Sequence, residues 1–353
     1  MRSTLTAVAL ALTVVVGAAC EPHSSVLPGG GGGSSSPSVG IWISPAEIAK
    51  LPTSGTAWSN LHAVAKGSWG TPTIADQNSD ADVNTLAGAL VATRLNDNGM
   101  RTRVRQQLMT LASSHPYDRV LSLARELPSY VIAADLVGLD SGQRAKFEAF
   151  LIEARSHKMD GHSGGNDLVS TAMRSANNWG TMARGALAAV DVYLGDKAGL
   201  ANVARAQNAW LGGTSTNTLQ YSGTNWHAGK LAGINARGAT ISGRSVDGVL
   251  PEDQRRTGEF AWPAPKGSYP HEGLQGAVVA SVILHRAGVL DFNAGDRALE
   301  RAERWLTDVN ANAASNDDGN TPWLINKYGG SRFARSEWAN PGKNIGWAAW
   351  TAL

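Results

Sequence analysis

The chain has 353 residues, 42 % hydrophobic and only 17 % charged, with a formal net charge of +2. That is enough apolar material for one large domain, and a nearly balanced surface without a Lys/Arg block gives nucleic-acid binding no support. A single cysteine, Cys20, excludes an intramolecular disulfide. Trp contributes 12 residues, more than Phe (5) and Tyr (6) together. That surplus has two readings: indoles that stack on sugar faces, or indoles that fill core and interhelical gaps.

At the start of the chain, Arg2 precedes an apolar stretch from Leu5 to Val16 and the small residues Gly17, Ala18 and Ala19. This is the pattern of an export signal ending at Cys20, and it resembles a bacterial lipoprotein signal in which Cys20 carries the lipids. Gly17 stands where a larger aliphatic residue is usual, so ordinary signal cleavage and secretion is the alternative. The stretch is too short to favour a permanent membrane helix. Residues 21–40 read as a flexible Gly/Ser tether, and residues 41–353 as the folded domain of a monomer.

From Ser44 onward helical signals dominate. Ser44-Pro45-Ala46-Glu47 supplies an N-cap, a proline at the first helical position and a capping-box glutamate. Apolar stripes at three- and four-residue spacing follow: Val83 to Val91, Met100 to Leu111, and Val120 through Leu136. Phe147 with Leu151, Met182 to Leu194, Leu274 to Leu284 and Leu299 to Trp305 extend the series. Alternating strand patterns are scarce. The succession predicts an all-α domain of stacked helical hairpins, an incomplete α/α toroid around a cleft. Between Leu211 and Val249 the chain turns rich in Gly, Ser, Thr and Asn, as a cleft-lining loop would.

Three short segments offer chemistry. Asn177-Asn178-Trp179-Gly180 precedes a helix, where amides either cap backbone N–H groups or border a cavity. Asp247-Gly248-Val249-Leu250-Pro251-Glu252-Asp253-Gln254-Arg255-Arg256 is either a solvated helix start or a source of cations for a site. Tyr269-Pro270-His271-Glu272 opens another helix, as a proton-transfer pair or as an ordinary amphipathic beginning. The C-terminal Gly342 to Trp347 with Trp350 either packs over the helices or offers a Lys343 rim to an anionic chain.

Asn-Asn, then Asp-Gly-x-Leu-Pro-x-x-x-x-Arg, then a Tyr at the head of an apolar helix resembles the alginate lyase domain. Leu127-Pro128-Ser129-Tyr130-Val131-Ile132 and Asn84-Thr85-Leu86-Ala87-Gly88 are similar to that domain's early helices. The resemblance covers roughly Trp42 to the C-terminus as a helix pattern plus three motifs. It implies β-elimination in a uronic-acid polysaccharide. Asn178 and Arg256 would hold the developing anion on the uronate carboxylate. Tyr269 would protonate the departing oxygen, and a neighbouring guanidinium favours the phenolate form a tyrosine base needs. Two departures stand out. Trp179 replaces the family's histidine base, and the stretch from Arg256 to Tyr269 is longer and contains Trp262-Pro263-Ala264-Pro265. The second base is then His271 or His227, or Tyr269 performs both transfers. Asn177, Trp179, Trp226, His227 and Arg255 are the expected substrate-binding residues around it.

Two other classes compete. A toroidal glycoside hydrolase needs a carboxylate pair, for which Glu252, Asp253 and Glu272 are candidates. A non-catalytic polysaccharide-binding protein of the cell envelope would keep the Trp residues without needing Tyr269. No metal or organic cofactor is expected: the eight His are dispersed, and phosphate-loop and dinucleotide fingerprints are absent. The expected partner is an acidic polysaccharide, with membrane contact only through the lipid at Cys20. On the lipoprotein reading, Cys20→Ser should move the protein from the membrane to the soluble fraction after cell fractionation, and an unchanged membrane fraction would refute lipidation.

Overall fold

The computed structural model describes residues 39–114, 116–160, 165–216, 218–314, 316–336 and 342–353. The expected export segment with Cys20 and residues 21–38 of the expected tether lie outside them. The capping box forms as the sequence dictates: Glu47 N–H donates to Ser44 Oγ at 3.2 Å, and Ser44 N–H donates to Glu47 Oε2 at 2.7 Å. It opens α1 (Pro45–Ile48), followed by α2 (Thr56–Lys66), α3 (Ala81–Leu95), α4 (Asn98–Ser113) and α5 (Val120–Val137). Next come α6 (Ser141–Ser156), α7 (Leu168–Arg174), α8 (Asn178–Leu194) and α9 (Lys197–Trp210). After a long irregular stretch the series resumes with α10 (Pro251–Gln254), α11 (Tyr269–Arg286), α12 (Ala294–Arg304), α13 (Thr321–Gly329) and α14 (Ala348–Thr351). The named strands, β1 (Thr240–Ile241) and β2 (Arg244–Ser245), make one antiparallel hairpin. Helix at 57 % and strand at 3 % make the described residues all-α.

Burial separates the helices into two kinds. α3, α5, α8 and α11 are buried along most of their length, and they pack in the order α3 on α5, α5 on α8, α8 on α11. By contrast α4 and α6 bury single stripes, Val104, Leu108 and Leu111 in one and Phe147, Phe150, Leu151 and Ala154 in the other. These are flanking helices with a solvated face. The central helices share one direction. Their N-terminal parts meet through Asp82 of α3, Arg125 and Glu126 of α5, Asn178 of α8 and Glu272 of α11. The C-terminal ends of α5, α8 and α11 meet around a separate cavity of about 430 Å³, lined by Asp135, Tyr193 and Arg286 among others.

Packing also decides between the two readings of tryptophan. Among the described tryptophans nine are buried, Trp179 is half-buried and Trp262 is exposed. The surplus is therefore mainly core, with indole N–H groups on backbone carbonyls: Trp210 on Ala176, Trp347 on Val83 and Trp350 on Pro52. The C-terminal segment packs rather than forming a rim. Lys343 is buried, and its ammonium bonds Asp82 at 2.5 Å and also the Ser79 carbonyl.

The tightest helix contact is α8 against α11. A Cβ on Gly276 would lie 2.5 Å from the Met182 backbone nitrogen and 2.6 Å from Thr181 Oγ1, so only a hydrogen fits between the two backbones. In an exposed helix Gly→Ala gains about 1 kcal/mol of propensity. Here overpacking against backbone, of roughly 1–3 kcal/mol, wins. Gly276→Ala should therefore lower the urea midpoint, and an equal or higher midpoint would show that the crossing can open at no cost.

Candidate active site

α8 begins at a junction built from distant parts of the chain. Asn177, its N-cap residue, is extended and contributes no side-chain cap. The Asn178 N–H instead donates to Oδ1 of Asp253, in α10, at 2.9 Å. An acceptor from another element thus takes the capping role at a helix end that favours negative charge.

The Asn178 side chain is clamped from both ends. Arg256 Nη1 donates to its Oδ1 at 2.8 Å, and its Nδ2 donates to Glu272 Oε2 at 2.7 Å. A guanidinium can only donate and a carboxylate only accepts, so the two partners fix which way the amide faces. The Arg256 guanidinium also lies over the Tyr269 ring, 3.6 Å from its centroid, in cation–π geometry. Asn178, Arg256 and Tyr269, separated by 78 and 13 positions in the chain, form one continuous contact. Asn178 is itself buried, whereas Arg256 and Tyr269 are half-buried, and among the described residues the guanidinium keeps further donors and the phenol its hydroxyl.

Other expected residues fall differently. His271 was a candidate second base, but it is buried, and its Nε2 hydrogen-bonds the Asn312 carbonyl at 3.0 Å. Burial pushes its pKa below the usual histidine value. Successive helical residues turn by about 100°, which puts His271 about 200° around α11 from Tyr269. His227, the other candidate, is held 3.3 Å from Glu252 Oε1 with a side chain only 3 % exposed. Neither histidine has the access a base requires. Trp226 is fully buried, donates Nε1–H to the Gly258 carbonyl at 2.9 Å and packs edge-on against Phe260. It therefore presents no face to a sugar. Trp179 is half-buried against the core, and Asn177 is buried.

Arg255 serves a second hub. Its Nε donates to Glu252 Oε2 at 3.0 Å, while Glu252 Oε1 accepts from the Ser222 N–H at 2.8 Å and contacts His227. Burial pushes the Glu252 carboxyl up, but the bonds from His227 and Arg255 outweigh it and hold it below the usual value. Glu252 thus staples the long irregular stretch to α10. Its neighbour behaves oppositely. Burial drives the Asp253 carboxyl up to about 8, although the Asn178 N–H and Arg256 pull it down. Glu252 is held in four contacts, with the Ser222 and Gly223 N–H groups, His227 and Arg255, and both carboxyls are buried.

The sequence offered Asp253 and Glu272 only as members of a hydrolase carboxylate pair, not as partners of Asn178, and it did not single out Arg125 at all. Glu272 shares a helix face with Tyr269 three positions earlier, a spacing that was readable. Arg125 lies 3.9 Å from Glu272 across α5 and α11, and nothing in its local sequence marks it. Arg125, Arg255 and Arg256 thus gather at the junction with Glu252, Asp253 and Glu272, and burial raises Asp253 to about 8.

Asp253 binds its proton far more tightly folded than in the unfolded chain, where a carboxyl titrates near 3.9. The stability this contributes is complete below pH about 4 and is lost as pH rises through about 8. Asp253→Asn keeps an acceptor for Asn178 and cannot ionise. Thermal melts from pH 5 to 9 should show the variant gaining on the wild type as pH rises, and a constant offset would refute a raised pKa at Asp253.

No protein family and no curated protein matches this sequence, so the geometry carries the functional reading.

Proposed function

We propose that the helical domain is a polysaccharide lyase that cleaves a uronic-acid polymer by β-elimination, with α3, α5, α8 and α11 as the inner wall of an incomplete α/α toroid. The observation that carries this reading is the Asn178–Arg256–Tyr269 contact. It joins a carboxylate-binding guanidinium, held by a buried amide, to a phenol at one helix end.

The chemistry follows from those groups. The proton on the carbon beside a uronate carboxylate becomes acidic only when the carboxylate charge is offset. The remaining donors of the half-buried Arg256 supply that offset, the buried Asn178 fixes the guanidinium in place through its Oδ1, and the aligned N-terminal parts of the central helices add to it. A base takes the ring proton, the electron pair forms the C=C bond, the bond to the glycosidic oxygen breaks, and that oxygen receives a proton. With His271 and His227 both committed elsewhere, Tyr269 is the group that performs both transfers, as phenolate and then as phenol. One group in both roles requires the proton and the leaving oxygen on the same face of the sugar. That requirement limits which uronate epimer is cut.

The test is direct. Tyr269→Phe should fold normally and lose about 10²–10⁴-fold in turnover on alginate or glucuronan, followed by the ultraviolet absorbance of new C=C bonds. Asn178→Ala and Arg256→Ala should also lose turnover, Arg256→Ala with weaker binding as well. Full activity in folded Tyr269→Phe would refute the mechanism. Reducing ends without the absorbance would make the protein a hydrolase.

A further inference from the structure

Outside that junction, one exposed aromatic residue sits beside a ready cation. Trp262 is 40 % exposed, and it belongs to the segment between Arg256 and Tyr269. This segment is held at both ends: Gln254 Nε2 donates to the Pro265 carbonyl at 2.7 Å, and Trp226 Nε1 to the Gly258 carbonyl. Trp262 is six residues from Arg256, so the two backbones are at most ~21 Å apart. The guanidinium of Arg244 lies 5.6 Å from the centre of the Trp262 ring. Arg244 stands on the β1–β2 hairpin, whose two turn residues, Ser242 and Gly243, both have positive φ, as the tight hairpin turn requires. Among the described residues no carboxylate pairs with Arg244.

Behind this pair lies a cavity of about 360 Å³ lined by Arg237, Arg297, Arg301, Arg304, Asp247 and Glu300 together with Trp305. The Trp262 and Trp305 rings are 6.1 Å apart, which places the exposed indole at the cavity margin. Trp305 is buried, and its Nε1 has no acceptor among the described residues. Arg237 and Arg304 do have carboxylate partners, Asp296 and Glu300, but each arginine side chain is more than half exposed. Exposed pairs of this kind are worth about 0–1 kcal/mol and exchange readily for another carboxylate.

We infer that Trp262 and Arg244 form an accessory ledge that binds a uronate unit of an acidic polysaccharide away from the bond being cut. The indole takes the apolar C–H face of the sugar ring, and the Arg244 fork takes its carboxylate. The four arginines at the cavity are paired with Asp296, Glu300 and Asp247, and the exposed Arg237 and Arg304 are the ones that adjoining uronates reach. This inference rests on the lyase reading for its ligand class; the exposed ring and the Arg244 fork match a sugar face and a carboxylate carried by one molecule.

The experiment uses the full chain carrying Tyr269→Phe, so that polymer is bound without turnover. Polymannuronate, polyguluronate and glucuronan serve as probes and a neutral mannan as control, in affinity electrophoresis. Adding Trp262→Ala or Arg244→Gln should weaken binding of the preferred uronate polymer about 5- to 20-fold, Trp262→Phe less, with Arg244→Gln also reducing the salt dependence. In the otherwise wild-type enzyme, the ratio of kcat/KM on polymer to that on a uronate trisaccharide should fall by the same factor in both variants. Unchanged polymer affinity in both folded variants, or equal binding of the neutral mannan, overturns the ledge. Failure of the lyase reading is separable: wild type then makes no C=C bonds on any of these polymers, whether or not Trp262→Ala weakens their binding.

Discussion

The close approach of α8 and α11 is the constraint on which the site depends. Gly276 allows the two backbones to cross with nothing between them, and Gly185 meets Val279 and the Ala280 backbone further along the same interface. At that separation Asn178, the first residue of α8, reaches Glu272 in the first turn of α11. A side chain at Gly276 would part the helix ends, and a 2.7 Å hydrogen bond tolerates little displacement. Packing at small residues therefore positions polar groups that have no apolar reason to meet.

Charge placement follows from the same geometry. Bringing the N-terminal parts of buried helices together concentrates acids and bases where water is scarce, and each has to be paired or neutral. Glu252 remains ionised because donors surround it, whereas Asp253 beside it is neutral below about pH 8 because burial wins. At the neighbouring α3–α5 end, burial pushes Glu126 up to about 9 despite the Lys343 ammonium 3.9 Å away. At the Asn178 junction the Arg256 guanidinium instead meets the Asn178 amide oxygen and the Tyr269 ring.

The long irregular stretch and the segment before Tyr269 are positioned by contacts rather than by secondary structure. Asn235 Nδ2 holds the Trp226 carbonyl, Glu252 holds the Ser222 N–H, and Arg301 reaches both Asp247 and the Asn235 carbonyl. These bonds turn a Gly-, Ser- and Asn-rich segment into a fixed wall. The same fixing removes Trp226 and His227 from solvent, while Trp262 stays exposed.

Much of the fold was legible locally. Apolar residues three and four apart determine a helix wherever they recur, so the stripes from Val83 to Trp305 became helices, and Ser44 with Glu47 closed the expected capping box. Burial along α5 likewise follows from a run of apolar residues too continuous for a solvated face. The motifs identified Asn178, Arg256 and Tyr269 as a candidate set. Their contact, the substitution of Asp253 for a local cap, the part played by Arg125 and the retirement of His271 and His227 into the packing were decided only by tertiary structure. The physical reason is separation: a hydrogen bond between residues 78 or 94 positions apart leaves no periodic trace in the chain, and a histidine's access depends on which neighbours the completed fold brings against it.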